Sequence, residues 1–242
     1  MIAVTRPVSD TIANCELTHL ARQPIDLDRA RAQHRAYERA LEDAGCTIVR
    51  VEAAPDLPDA VFVEDAAVVL PEIAIITRPG APLRRKETPP VAAVLGRYRE
   101  MAAVEAPATL DGGDVLQAGG RLYVGVGGRT SAAGATMLGD LLGVEVVAVA
   151  LEGVLHLKSA FTALPDGTVV CCAPSRPFES FLSVPEESGA HVVVLGERSV
   201  LLAADCPRSA ELFAARGLEP VVVDISEFQK LEGCVTCLSV LL

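Results

Sequence analysis

Short apolar runs recur along the chain in pairs, each pair joined by a tight polar turn, and longer stretches with helical spacing separate the pairs. Four pairs are legible: DAAVVL and IAIITRP around Pro-Glu, GDVLQA and RLYVGV around Gly-Gly, SAFTAL and TVVCCAP around Pro-Asp-Gly, and HVVVL and SVLLAA around Gly-Glu. Turn residues of these kinds between β-rich runs predict antiparallel hairpins. A fifth pair is split. The C-terminal VTCLSVLL reads as a strand without a neighbour in sequence, and the N-terminal MIAVTRPV ends as IAIITRPG does, so the two ends are predicted to pair.

Between the pairs lie DLDRARAQHRAYERALEDAGC, ETPPVAAVLGRYREMA, TSAAGATMLGDLLG, PFESFLSVPEESG and CPRSAELFAARGL. Their apolar residues recur at helical intervals behind a capping residue, which predicts amphipathic helices. Short apolar strands, TIVRV, EVVAVAL and PVVVDI, follow most of them. The unit is therefore strand, strand, helix, strand, repeated about five times. No linker or low-complexity tract interrupts it, so one α/β domain over residues 1–242 is expected. An open doubly wound sheet is the competing architecture; pairing of the chain ends favours a closed, propeller-like ring.

Composition narrows the function classes. Half of the 242 residues are apolar, enough for a substantial core. Runs such as VVVLGERSVLLAA are broken by charge or turn residues before the roughly 18 residues a membrane-spanning helix needs. MIAVTRPVSD lacks the basic and apolar regions of an export signal, and seven cysteines without framework spacing fit a reducing compartment, so a cytoplasmic location is expected. Asp plus Glu number 32 against 21 Lys plus Arg, a net charge of −11 that disfavours nucleic acid and mildly favours a small cationic ligand. The absence of tryptophan removes the best stacking platform for bases.

The reactive residues fall at one place in each unit, the entrance to the first hairpin strand. Glu64 and Asp65 open one unit, Asp111 to Asp114 the next, His156 to Ser159 the third, and Cys237 the last. The steps from 64 to 111 and from 111 to 156 are 47 and 45 residues, so a ring of units brings these positions to a common axis. Taken singly, Cys237 is packing in an apolar strand, His156 a surface imidazole and DGGD a turn. Their shared register points instead to an activated nucleophile: Cys237 attacks, His156 moves protons, and Asp111 orients the ring. Cys234 stands three residues before Cys237, but a structural zinc would need four ligands and a redox dithiol would sit at a helix start rather than in a strand. Cys171 and Cys172 read as strand packing.

Taken in order, VFVEDAAVV, ITRPGAPLRRKE, TLDGGDVL, VGVGGRT, LHLKSAFTAL and VTCLS resemble the dimethylarginine dimethylaminohydrolase family of the guanidino-group-modifying superfamily, over essentially the whole chain. The resemblance implies a five-bladed α/β-propeller that hydrolyses Nω-methylated arginine to citrulline and methylamine or dimethylamine, without cofactor or metal. It assigns Cys237 as nucleophile, His156 as acid/base and Asp111 as its orienting carboxylate. Asp65 and Glu64 are expected to hold the guanidinium, and Asp59 with the Leu17 carbonyl the α-amine. Phe62 lines the pocket, Arg84 (rather than Arg85) and Arg129 grip the α-carboxylate, and Leu231 offers a main-chain contact. CELTHLARQPID corresponds to the family's lid, and a homodimer occurs among bacterial relatives.

Chemistry explains such a set. A guanidinium is a poor electrophile, so carboxylates must hold it against the sulfur and an imidazolium must protonate the departing amine. The same carboxylates are expected to raise the thiol pKa until a cationic substrate binds. A compact arginine deiminase, an amidinotransferase, a hydrolase of another guanidino or ureido amino acid, and a non-catalytic propeller binding protein are the competing readings. Chain length argues against the second, and the Cys237, His156, Asp111 set is unexplained by the last.

Overall fold

Five three-stranded sheets stand around one axis in the computed structural model, which describes residues 1–172, 178 and 180–242. Each sheet repeats one plan: a first strand antiparallel to a second, and a third parallel to the second. The strands are Ala67–Val69, Ile73–Ile76 and Glu100–Ala103 in one blade, and Val115–Ala118, Arg121–Val126 and Val146–Ala150 in the next. Phe161–Ala163, Val169–Cys171 and Leu182–Ser183 follow, then Val193–Val194, Ser199–Ala203 and Glu219–Val223. The predicted split unit closes the ring: Val240–Leu241 pairs antiparallel with Ile2–Thr5, Ala3 facing Leu241, and Thr47–Arg50 completes the sheet.

Local chemistry accounts for the blades. Gly119 and Gly120 both take positive φ, 55° and 74°, as a two-residue hairpin turn requires. Val4, Ile75, Val124, Val170 and Leu201, one from each middle strand, are completely buried. Each such side chain stabilises the fold by about 1.5–3 kcal/mol through removal from water. The helix Leu27–Asp43 begins where the Asp26 carboxylate accepts the Arg29 N–H, and it buries Ala30, His34, Tyr37 and Leu41 at helical spacing. Ser131 caps Ala132–Leu142 in the same way, and Pro207 opens the helix Pro207–Ala215.

Three predicted elements differ. The helix expected over ETPPVAAVLGRYREMA ends at Leu95; Glu100–Ala103 is a strand because its backbone completes the sheet beside Ile73–Ile76. PFESFLSVPEESG has no helix among its described residues, but a strand at Leu182–Ser183 and a 3-10 turn at Glu187–Ala190; Pro177 and Glu179 lie outside the described residues. VTCLSVLL is a strand only at Val240–Leu241. Val235–Leu238 forms a 3-10 turn, held by the Tyr37 hydroxyl, which donates to the Val235 carbonyl at 2.9 Å.

That turn belongs to a set. A 3-10 turn precedes the first strand of every blade: Val63–Ala66, Gly112–Asp114, Leu157–Ser159, Glu187–Ala190 and Val235–Leu238. Val63–Ala66 touches both Val235–Leu238 and Gly112–Asp114, which in turn touches Leu157–Ser159, so residues far apart in sequence meet at one end of the axis.

Candidate active site

The turns explain how the site forms. Asp111 is the residue before one turn and His156 the residue before the next, both in extended backbone, so their side chains leave the blades toward the same space. His156 Nε2 lies 3.1 Å from Asp111 Oδ2, and its Nδ1 lies 3.7 Å from Asp65 Oδ1. The Gly80 N–H holds Asp111 Oδ1 at 2.8 Å, and the Gly113 N–H donates to Asp65 Oδ1 at 2.9 Å. Gly113 can be nothing larger: a Cβ there would sit 2.7 Å from both the Asp65 carboxylate and the His156 ring, while one on Gly112 would run into the Glu64 carbonyl.

Electrostatics sharpen this cluster. Burial disfavours charge on His156, but Asp65, the Asp111 hydrogen bond and Asp114 outweigh it and raise the imidazole pKa to about 9. Burial likewise opposes an anionic Asp65, yet His156 and Arg84 hold its carboxyl well below the usual range. Asp114, pushed up to about 6 by burial, accepts the Leu157 N–H at 3.0 Å and the Thr130 hydroxyl at 2.6 Å, and the same hydroxyl accepts the Asp111 N–H. It braces both His156 and Asp111 from behind. Asp65, Asp111 and His156 also form a cluster whose nitrogen and oxygen atoms lie within 4.8 Å of one another, close enough to share a cation. Those atoms are already engaged by Arg84, Gly113, Gly80 and each other, which accounts for the cluster as a hydrogen-bonded unit.

Cys237 and His156 face one cavity. The same cavity is lined by Asp59, Phe62, Asp65, Arg84, Arg129 and Leu231. Eight of the eleven residues singled out in the sequence thus line one space. Asp111 stands behind His156. Leu17, in the segment expected to form the lid, is half-buried against the core that contains Phe62 and Cys237. Glu64 is turned away: its Oε1 accepts from Lys158 Nζ at 2.6 Å, and both residues line a separate axial cavity. Burial raises the Glu64 pKa in spite of Lys158, and its Oε2 is buried without a hydrogen-bond partner among the described residues.

The two arginines are placed differently. Arg84 is buried, with Nη1 2.5 Å from Asp65 Oδ2 and Nη2 donating to Glu87 and to the Phe62 and Asp59 carbonyls. Arg129 is more open; it pairs with Glu16 of the lid at 3.0 Å and reaches the Thr18 hydroxyl at 3.3 Å. Three more residues of the segment expected to form the lid are held by Glu232, whose carboxylate accepts the N–H groups of Thr18, His19 and Leu20. The Glu16 N–H donates to Asp59, whose pKa burial raises.

Cys237 carries a second surprise. Its Sγ lies 3.3 Å from Cys234 Sγ, the two thiols sharing one contact across the turn. That contact, burial, and the charges of Cys234, Glu64 and Asp65 push the Cys237 thiol well up.

Sequence reasoning gave no individual role to Asp114 and Lys158, although both lie in the clusters it singled out, and passed over Tyr37, Glu87 and Glu232. Lys158 and Glu87 had a signal, lying two and three residues beyond His156 and Arg84. Tyr37 and Glu232 had none, since each meets its partner only through the closed ring.

No protein-family model matches the chain. The N(G),N(G)-dimethylarginine dimethylaminohydrolase of Streptomyces coelicolor is 52% identical over 98% of this chain and 95% of its own length. The protein of that name from Pseudomonas aeruginosa is 34% identical over 98% of this chain and 97% of its own. A solved structure of a Pseudomonas aeruginosa mutant complexed with citrulline has a TM-score of 0.90 at 32% identity, covering 98% of this chain and 97% of that one. The N-terminal domain of ArgZ, a cyanobacterial arginine dihydrolase, reaches 0.86 at 18% identity, which bears on the fold alone.

Five blades around a pocket walled by thiol, imidazole and carboxylates define a guanidino-group-modifying α/β-propeller. Identity over nearly the full length narrows the class. The chain belongs to the dimethylarginine dimethylaminohydrolase family.

Proposed function

We propose that this protein hydrolyses Nω-methylated L-arginine to citrulline and methylamine or dimethylamine, with Cys237 as nucleophile. The observation that carries the reading is the single cavity lined by Cys237, His156, Asp65 and Arg129, which brings a thiol, an imidazole, a carboxylate and a guanidinium to one space, a set of groups suited to a cationic amino acid. Asp65 accepts the planar guanidinium N–H groups, with Glu64 adding negative charge from behind. Asp59 and the Leu17 carbonyl meet the α-ammonium. Phe62 packs along the substrate stem, and Leu231 offers its backbone beside the sulfur. Arg129 takes the α-carboxylate in exchange for Glu16. Arg84 has most of its donors committed to Asp65, Glu87 and two carbonyls, so it contributes one remaining Nη1–H and, chiefly, the position of Asp65.

Bound guanidinium reverses the electrostatics around the thiol: a cation beside Cys237 offsets Glu64 and Asp65 and favours the thiolate. The sulfur adds to the guanidinium carbon. His156, an imidazolium at neutral pH, keeps its Nε2–H on Asp111 and donates its Nδ1 proton to the departing amine, leaving a thiouronium on Cys237. Neutral His156 then takes a proton from water, whose oxygen adds to the same carbon; expulsion of the sulfur gives citrulline. A cytoplasmic location accompanies this reading, supported by seven cysteines carried as thiols. Among the described residues no helix is long and apolar enough to cross a membrane.

Citrulline measured after incubation with dimethylarginine, monomethylarginine and arginine tests the proposal. The methylated substrates should give the higher kcat/KM. No citrulline from any of them refutes the hydrolase, and preference for arginine replaces it with a deiminase. Residue-resolved alkylation should find Cys237 slow at neutral pH and faster with a non-reacting guanidinium ligand bound; a free-enzyme thiol pKa below 7 contradicts substrate-assisted activation.

A further inference from the structure

The thiol contact beside the nucleophile is not used by the reaction, and it opens a different chemistry. Cys234 and Cys237 bracket one 3-10 turn: the Cys237 N–H donates to the Cys234 carbonyl at 3.1 Å, and both side chains fold to the same side with their sulfurs 3.3 Å apart. A disulfide needs about 2.05 Å, a closure of little more than an ångström that side-chain rotation can supply within a turn already formed. The two sulfurs also open to different spaces. Cys237 lines the substrate pocket, whereas Cys234 lines a neighbouring cavity of about 360 Å3 together with His19, Leu155, Ser159, His191 and Glu232.

We propose that Cys234 is a resolving thiol, and that hydrogen peroxide converts the pair into a Cys234–Cys237 disulfide that switches the enzyme off reversibly. One thiolate attacks the peroxide O–O bond, forming a sulfenic acid and releasing hydroxide, which takes up a proton. The other sulfur displaces water from it, forming the S–S bond. The pair gives up two electrons and two hydrogens, and the peroxide becomes two waters. A small thiol entering the second cavity attacks Cys234 Sγ and expels Cys237 as the thiolate, and a second thiolate then attacks the added sulfur, releasing Cys234 and leaving as the small-molecule disulfide. The partner sulfur thereby protects the nucleophile from irreversible sulfinic acid. Loss of activity rests on the catalytic role given to Cys237; the disulfide itself rests on the two sulfurs alone.

The test treats the purified full-length protein with hydrogen peroxide and follows activity, thiol count and the mass of the peptide containing both cysteines under non-reducing conditions. The wild type should lose activity while that peptide loses two hydrogens, and dithiothreitol should restore both. Cys234→Ser, normalised to its own untreated activity, should instead gain two oxygens on Cys237 and stay inactive after dithiothreitol. A wild-type peptide that gains oxygen without losing hydrogen overturns the proposal, as does a variant rescued as fully as the wild type. If the variant does not fold, the wild-type peptide mass decides. That mass requires no substrate, so a failed hydrolase assay leaves this test intact.

Discussion

Two parts of the candidate site are built on opposite terms. In one, Asp65, Asp111 and His156 are 3%, 0% and 4% exposed and bonded to one another and to backbone N–H groups of neighbouring turns. In the other, the Arg129 and Glu16 side chains, 16% and 35% exposed, hold each other. The buried part is finished before a substrate arrives, and its hydrogen bonds need no rearrangement during the reaction. The second part holds a carboxylate on an arginine, the pair that a substrate carboxylate replaces under the proposed function. Preorganised groups should therefore govern turnover, and the exchangeable pair should govern binding.

Substitutions that cross this divide can break the comparison. Cys237→Ser should reduce kcat by at least about 10³-fold while leaving the pocket's ligand affinity largely intact, measured by turnover and by citrulline binding. Asp111→Asn should cost about 10²- to 10⁴-fold in kcat with little change in KM, because the imidazole loses its orienting anion. Arg129→Ala should raise KM by about 10- to 100-fold and change kcat only a few-fold; an equal fall in kcat would place Arg129 with the preorganised part.

The pH response sharpens the comparison with smaller effects. A His156 pKa of about 9 in the ligand-free protein makes the leaving-group acid available through neutrality, so kcat/KM for a reaction limited by amine departure should fall about tenfold per pH unit above that value. The same group links folding to pH. Its pKa is raised from the 6.5 of a free imidazole, so its stabilising contribution is complete below about 6.5 and is lost as pH rises through 9. Thermal denaturation should show the ligand-free protein losing stability across that window, and His156→Ala should flatten the dependence.

Much of this was legible before any coordinates. Hairpins announced themselves by alternating apolar runs and Gly, Pro or Asp at the turns, and the matching TRP endings at residues 5–7 and 77–79 foretold which strands close the ring. The register of Asp65, Asp111, His156 and Cys237 was visible because each sits at the same place in its unit. Their backbone was not. Val235–Leu238 has the composition of a strand, and the Tyr37 hydroxyl that holds its carbonyl in the turn lies 198 residues away in sequence. Misreading it hid the Cys234 contact, since residues three apart on a strand point to opposite faces. Glu64 escaped for a related reason: it is adjacent to Asp65, and on a 3-10 turn adjacent side chains diverge, one into the pocket and the other toward Lys158.

The pairing of Ile2–Thr5 with Val240–Leu241 has a topological corollary. Ile2 and Leu242 exchange backbone hydrogen bonds in both directions, so residues 1 and 242 are spatial neighbours and the split blade is a hairpin with a nick in place of its loop. A short peptide joining these ends would make all five blades covalently equivalent, and the opening could then be moved to the Gly119-Gly120 hairpin, far from the sulfur. A permuted chain of that kind would carry its nucleophile in mid-sequence without altering any wall of the pocket.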